Sequence, residues 1–388
     1  VDRKSTLFVL CGSLCVNFNM SEKAGIGIIG TGFARKVQIP AFKACEGAEI
    51  VSVASGSIEN AEATAKEFGV GHFTADWRET ASHDSVDMVV ITTPPNLHRE
   101  MTLFAIDRGK HILCEKPMAM NVAEAQEMTD AANGKPLLAL IDHELRFQPG
   151  RQKAYAMLRD GEIGKVRHAK YIFQAPHRGN PDIPWNWWSD IKQGGGALGA
   201  VGSHIIDSFN WFLGTEISSV FCQLQSQVKE RRDKNGELRP VTTDDESNML
   251  LRFADGELTR DATGLVSVSM TEGPKYTNRI EFYGSGGALR IEHRGDVYIA
   301  KTGDDDWTEV EVGFAKPVEG VPDTGFSRGF MDFAPKIVEA IRDGKTEIEW
   351  AATFEDGLKV QRVLDAAHES NVAGARTFLS GARTLLSA

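Results

Sequence analysis

At 388 residues, and at roughly 150 residues per domain, the chain has room for two or three domains. Hydrophobic residues at 41% and charged residues at 25% are a globular composition rather than a disordered one. The formal charge of −11, from 43 Lys+Arg against 54 Asp+Glu, argues against nucleic acid or an anionic membrane as a partner.

Five scattered cysteines, Cys11, Cys15, Cys45, Cys114 and Cys222, form no C-x-x-C pair. Neither a disulfide framework nor structural zinc is expected, and reduced thiols in a cytoplasmic protein are the plain reading. Val1–Asn19 has basic residues and then an apolar run from Leu7 to Phe18, too short to span a bilayer and without a small-x-small cleavage site. Because Met20 follows, residues 1–21 are read as a start-site extension outside the fold rather than an export signal.

From Gly25 the pattern is strand, turn, helix, repeated. Apolar runs at Gly25–Gly30, Glu49–Ala54, Asp87–Thr92, His111–Cys114 and Leu137–Ile141 alternate with helical stretches to about Cys45 and at Asn60–Phe68, Asn96–Arg108 and Val122–Asn133. Short continuous apolar strands separated by helices predict a doubly wound parallel sheet, an α/β dinucleotide-binding (Rossmann) domain over residues 22–142.

Residues 143–388 change character. After a helix near Arg151–Arg159 come β-rich runs at Val166–Gln174, Ser218–Val228, Ser247–Phe253, Gly264–Met270, Arg279–Tyr283, Ala288–Glu292 and Asp296–Ala300. Helices are predicted at Ala197–Leu213, Phe330–Arg342 and Phe354–Glu369. This is an α+β domain with a largely antiparallel, open-faced sheet. The Gly284–Gly287 run is read as a hairpin turn, and Lys229–Asn235 as a charged loop.

Gly30-Thr31-Gly32-Phe33-Ala34-Arg35 joins the first strand to the next helix. Gly30 permits the tight turn, and Gly32 lets the backbone approach a pyrophosphate at the helix N-terminus, with Phe33 and Ala34 beside it. Arg35 stands at the third position of G-x-G-x-x-G/A, so the fingerprint is incomplete. The second strand ends Val53-Ala54-Ser55-Gly56-Ser57, without the acid that grips a ribose 2′-hydroxyl. The missing acid removes repulsion toward a 2′-phosphate and Ser55 and Ser57 can donate to it, while a cationic match needs Arg35 or Lys36 to fold back; NAD(P) is the expected cofactor, with a slight lean to NADP.

Further along, Ile91-Thr92-Thr93-Pro94-Pro95-Asn96-Leu97-His98 is followed by Gly109–Pro117, which contains Glu115-Lys116-Pro117. Arg146-Phe147-Gln148-Pro149, Gly161-Glu162-Ile163-Gly164, Gly194-Gly195-Gly196 with His204 and Asp207, and Asp356-Gly357-Leu358 come after it in order. Together these residues resemble the glucose–fructose oxidoreductase / inositol dehydrogenase (Gfo/Idh/MocA) family over about residues 25–375. The resemblance implies hydride transfer between NAD(P) and a secondary hydroxyl or ketone of a sugar, polyol or related compound. It also implies a homodimer or homotetramer built on the open face of the second sheet.

Residue by residue, the resemblance implies that Lys116 sits by the nicotinamide and hydrogen-bonds the reacting hydroxyl, where an ammonium stabilises a developing alkoxide. Pro117 follows a typically cis peptide, and Glu115 orients the lysine or the nicotinamide ribose. Thr92, Thr93, Pro94 and Asn96 line that ribose, and His98 either joins them or caps the next helix. His204 is the general acid or base, and Asp207 three residues on shares its helix face. Arg146 reaches substrate or forms a domain-interface ion pair. In the Pro184-Trp185-Asn186-Trp187-Trp188 cluster, Trp188 stands by position near the substrate, with packing the stronger reading.

One departure matters. The family places an aspartate four residues before the histidine, and here that position is Ala200. Either Asp207 is the substitute acid, or His204 acts with Lys116 alone. Two further readings stay open beside the dehydrogenase: redox-assisted glycoside cleavage with retained NAD, and a dinucleotide or sugar sensor without chemistry. No H-E-x-x-H or third metal ligand is present in the sequence, so no metal is expected.

Overall fold

A computed structural model describes residues 23–314 and 320–379; the extension expected at 1–21 lies outside the described residues, apart from the chain that follows it at Lys23. Six parallel strands form the first sheet: β1 (Ala24–Ile29), β2 (Ala48–Ala54), β3 (His72–Thr74), β4 (Met88–Ile91), β5 (His111–Cys114) and β6 (Ala139–Ile141). Their order, β6-β5-β4-β1-β2-β3, reverses between β1 and β4. Ile26, Ile28, Val89, Val90, Ile112 and Leu113 are fully buried, because helices cover both faces of these apolar runs. The crevice outside the carboxyl ends at the reversal point is where such sheets bind ligands.

The second sheet has nine strands. In chain order they are β7 (Val166–Gln174), β8 (Ile217–Gln225), β11 (Glu246–Phe253), β12 (Thr259–Ser269), β13 (Thr277–Gly284), β14 (Gly287–Ile291), β15 (Val297–Lys301), β16 (Thr308–Val310) and β18 (Thr377–Phe378); the separate hairpin β9 (Glu230–Arg232) and β10 (Leu238–Pro240) falls between β8 and β11, and β17 (Ala352–Thr353) after β16. The β7–β12 pair is parallel and the other pairings are antiparallel. Helix Ser203–Leu213 buries Ile205, Phe209 and Phe212 against one face. The opposite face carries Leu250 and Leu265, 51% and 37% exposed. Residues 284–287 make the expected turn between β13 and β14. No helix among the described residues is long and apolar enough to cross a membrane.

Three expectations need correction. The division at residue 142/143 does not describe the packing, because residues 325–353 return to the first sheet. Helix Gly325–Arg342 buries Phe330, Phe333 and Ile337 among Phe42, Phe147 and β1, with the Phe147 and Phe333 rings stacked at 4.1 Å. Ala352 of β17 then pairs antiparallel with Ile141 of β6. This helix begins five residues before the predicted Phe330, at the N-cap Thr324, whose side chain accepts from Ser327 N. Finally, the charged run Lys229–Asn235 contains β9 rather than a free loop. Arg231 is 2% exposed because its guanidinium donates to the main-chain carbonyls of Arg178 and Asn180, which tethers the segment leading into Trp185–Trp188.

Candidate active site

Four carboxyl-end segments of the first sheet converge on one cleft: Gly30–Phe33 after β1, Thr92–Thr93 after β4, Glu115–Lys116 after β5 and Asp142–Glu144 after β6. Gly30 has φ +98°, and a Cβ there would lie 2.3 Å from the Thr92 carbonyl oxygen, so the turn needs glycine. The helix that follows opens with a π turn, Ala34–Gln38, and its N-cap Phe33 supplies no side-chain hydrogen bond.

The second domain closes the cleft with residues 194–204. A Cβ on Gly195 would lie 2.5 Å from the carbonyl oxygens of both Trp187 and Trp188. The absent side chain is what lets the tryptophan segment dock there. Asp244 Oδ2 accepts from Leu198 N at 2.7 Å and so caps a second π turn, Leu198–Gly202, that runs into helix Ser203–Leu213. Such turns recur at functional sites. Lys116 Nζ spans the two domains and donates to the Ala200 carbonyl at 3.0 Å, next to the cis Lys116–Pro117 peptide.

The cleft measures about 430 Å³. Of the expected residues, Gly32, Phe33, Thr92, Thr93, Glu115, Lys116, Trp188 and His204 line it. Glu144, Phe173, His177, Trp187, Ala200, Val201, Met270 and Phe326 line it too, and the sequence reading missed their place at the site apart from the gap at Ala200. The lining runs unbroken from the glycine turn to Lys116 and His204, and a Cβ on Gly32 would meet nothing within 4 Å. An open turn against an uncapped helix start, leading to a lysine and a histidine, fits a nicotinamide dinucleotide.

Other expected residues stand elsewhere. Asp207, expected to face substrate, and Arg146, expected to reach substrate or to form a domain-interface ion pair, do not line the cleft. Arg146 Nε and Nη2 donate to the two Asp207 oxygens at 3.0 and 2.5 Å, and Asp356 lies 3.5 Å from Nη1. They are a buried ion-pair cluster that joins β6, helix Ser203–Leu213 and helix Phe354–Ala373. His98 is fully buried, so it reaches the cofactor site only through the loops it holds. Its ring nitrogens meet the carbonyls of Thr93 at 2.9 Å and Pro117 at 3.0 Å. Asn96 is exposed and Pro94 half-buried beside the cleft, and Ala34 is buried under the π turn. Ser55 Oγ lies 3.4 Å from Thr31 Oγ1, which sets the glycine turn against the end of β2. Arg35 is turned outward into an ion pair with Glu67.

Behind Lys116 three carboxyl groups share one pocket. Gln38 Nε2 donates to Glu115 Oε1 at 3.1 Å and to Asp142 Oδ2 at 2.7 Å, and its own oxygen accepts from Thr92 Oγ1. Burial raises the Asp142 carboxyl well above the ordinary range, and the Glu144 and Glu115 charges push it further. Burial and Glu115 raise Glu144 too, while Lys116 and Arg151 oppose the rise. Burial and both neighbouring carboxylates thus favour a retained proton at Asp142, with Gln38 and Lys116 opposing it. His204 is 4% exposed; burial, then Lys116, His143 and Arg151, hold its imidazole well below the usual range and therefore neutral. His143, edge-on to it at 5.5 Å, is pushed down to about 4 by burial.

The sequence pattern of an oxidoreductase family with an NAD-binding Rossmann fold matches residues 24–143, and that of the GFO/IDH/MocA C-terminal domain matches residues 151–290. The chain belongs to the GFO/IDH/MocA oxidoreductase family. An uncharacterized oxidoreductase of Synechocystis sp. is 31% identical over 271 residues, 69% of this chain and 71% of that protein. Levoglucosan dehydrogenase of Pseudarthrobacter phenanthrenivorans is 29% identical over 385 residues, 90% of this chain and 96% of the relative. A solved structure of levoglucosan dehydrogenase in complex with NADH and levoglucosan superposes with a TM-score of 0.82 at 26% identity, covering 92% of this chain and all of that one. The chain is thus an NAD-binding-type oxidoreductase of CH–OH groups.

A folded-state proton on Asp142 has a thermodynamic signature. A carboxyl whose folded pKa is raised binds its proton more tightly folded than unfolded. Its contribution to stability is therefore lost as pH rises from the ordinary carboxylate range through the folded value. Asp142→Asn, which cannot ionise, is expected to gain stability over the parent as pH rises from 5 to 8, read by denaturant melts at each pH. A difference that stays flat or shrinks with pH contradicts this assignment.

Proposed function

We propose that this oxidoreductase is a dehydrogenase of a compact neutral sugar, such as a pyranose or an anhydrosugar of the levoglucosan kind. The observation that carries this reading is a cleft with Lys116 and His204 at its base and Phe173, Trp187, Trp188 and Phe326 in its walls. Aromatic faces suit the C–H faces of a sugar ring. Among the described residues no arginine lines the cleft, so a phosphorylated or carboxylated sugar finds no guanidinium partner among them.

A nicotinamide dinucleotide held by the glycine turn and the Thr92–Thr93 segment would supply the hydride acceptor or donor. In the oxidising direction the neutral His204 takes the substrate hydroxyl proton, and the Lys116 ammonium donates a hydrogen bond to the same oxygen as charge develops on it. In the reducing direction the same two residues donate. Glu115 and Gln38 hold the lysine segment, His98 ties it to the Thr93 loop, and Trp188 forms a wall of the sugar site. The sensor reading rested on Ala200; a Glu144 oxygen 3.9 Å from His204 Nδ1 supports the enzyme reading over it. Leu250 and Leu265 on the open sheet face support a homodimer or homotetramer.

The cofactor we propose is NAD. The slight lean to NADP rested on the missing acid after β2 and on Ser55 and Ser57 as donors, with Arg35 or Lys36 to fold back over a 2′-phosphate. Ser57 Oγ is already committed to Asn60 N and Glu59 at the start of helix Ile58–Phe68, and Arg35 is committed to Glu67.

Two measurements test this. Reduced-nicotinamide absorbance, followed over a panel of neutral pyranoses, anhydrosugars and polyols, should find at least one substrate with NAD. Lys116→Met should lower its kcat by about two to four orders of magnitude. Failure of every panel member, or full activity in the variant, overturns the dehydrogenase reading; nucleotide that survives purification without net turnover then favours glycoside cleavage. Separately, Glu67→Gln should release Arg35 and lower the ratio of the NADP to the NAD KM by about three- to fivefold, as expected for an exposed ion pair. An unchanged ratio removes Arg35 from coenzyme selection.

A further inference from the structure

The helix that carries His204 has no acid one turn before it, where Ala200 stands, and Asp207 one turn after it is held at both oxygens by Arg146. A neutral histidine working as a base still needs one nitrogen fixed as the donor, so that the other is bare. Glu144, at the end of β6 and 60 residues away in sequence, lines the same cleft. Its Oε2 lies 3.9 Å from His204 Nδ1. Both atoms are cut off from solvent and neither has another hydrogen-bond partner. Nδ1 is thus the inward nitrogen of the ring, which leaves Nε2 to face the cleft.

We propose that Glu144 is the acidic partner of His204, a positioning residue that supplies from the first domain the carboxylate missing at position 200. This rests on the reading of His204 as the proton-transferring residue. Pairs of this kind commonly stand long in the free protein and close when substrate fills the site. The carboxylate accepts the Nδ1 hydrogen and fixes the tautomer with Nε2 bare. When the hydroxyl O–H bond breaks, its proton goes to Nε2 while the C–H electron pair leaves as hydride to the nicotinamide and the C=O bond forms. The Nδ1 hydrogen stays in place, and the imidazolium formed is offset by the carboxylate beside it.

Burial, then Glu115, raises the Glu144 carboxyl well above the usual range, and the cations around it oppose that rise. Lys116 faces it from the β5 segment and Arg151 from helix Pro149–Arg159, against Glu115 and Asp142 on neighbouring strand ends. His204 itself is faced by Lys116, His143 and Arg151, with the uncharged Phe326 ring at 5.0 Å. Helix Gly325–Arg342 fixes the height of Glu144. A Cβ on Gly329 would lie 2.3 Å from the Glu144 carbonyl oxygen, so only glycine lets the helix seat against that segment.

The test is Glu144→Gln, alone and with Ala200→Asp, which restores an acid one helical turn before His204. With the sugar found in the absorbance panel, Glu144→Gln should lower kcat by about a hundredfold, with KM and NADH affinity nearly unchanged. Adding Ala200→Asp should recover about tenfold of that loss. Independently of any substrate, ¹⁵N-histidine NMR, with the His204 signal identified by its loss in His204→Gln, should show the Nδ1–H tautomer in the parent and lose it in Glu144→Gln. Parent turnover with an unchanged kcat or an unchanged tautomer in Glu144→Gln overturns the pairing and leaves the dehydrogenase reading intact. The expected tautomer change with no turnover of any sugar sustains the pairing and overturns the substrate reading instead. Loss of kcat that Ala200→Asp does not relieve, with the tautomer unmoved, assigns Glu144 a purely structural part.

Discussion

Three carboxyl groups buried around a single ammonium are the constraint on which the site depends. Glu115, Asp142 and Glu144 end neighbouring parallel strands, so the sheet itself brings them together, and Lys116 is the cation among them. Burying three ionised carboxylates with so little compensation costs far more than the fold can spare. The cluster therefore keeps a proton. It also pins Lys116: the ammonium is held by charge behind it and by the Ala200 carbonyl in front. A lysine fixed in this way has little freedom to lose when a substrate oxygen arrives.

The same cluster couples the two domains. Lys116 reaches across to the turn before the helix that carries His204, and a Glu144 oxygen lies 3.9 Å from that histidine's Nδ1. A second set, Arg146 with Asp207 and Asp356, adds a further ion-paired link at the junction. Helix Gly325–Arg342 closes the junction by packing its aromatic stripe on the first sheet. The relative position of the nicotinamide end and the proton-transferring histidine is thus set by charge pairing and packing at the domain seam.

Much of this was legible in the sequence. Alternating apolar runs and helical stretches located the first sheet, the glycine turn fell at its reversal point, and Lys116 and His204 proved to line one cleft. What the sequence concealed was pairing over long separations. Arg146 read equally as a substrate contact or a domain-interface ion pair, and Asp207 as a residue beside substrate or His204; nothing local shows that the two neutralise one another. Glu144 sits in Asp142-His143-Glu144, an acid-rich run just past an apolar strand, and that placement was the one available signal for it. The return of residues 325–353 to the first sheet was hidden because an amphipathic helix does not declare which face it covers. Arg231 looked solvated because the carbonyls that satisfy it lie about fifty residues earlier.

The central claim is that the carboxyl cluster behind Lys116 holds a proton at neutral pH, with Asp142 as its seat. Infrared difference spectra of the parent against Asp142→Asn test it most directly, since a protonated carboxyl has a C=O stretch separate from the carboxylate bands. The account predicts a protonated-carboxyl band in the parent at pH 7 that disappears in Asp142→Asn. A parent spectrum without that band, or a band that survives the substitution unchanged, would contradict it.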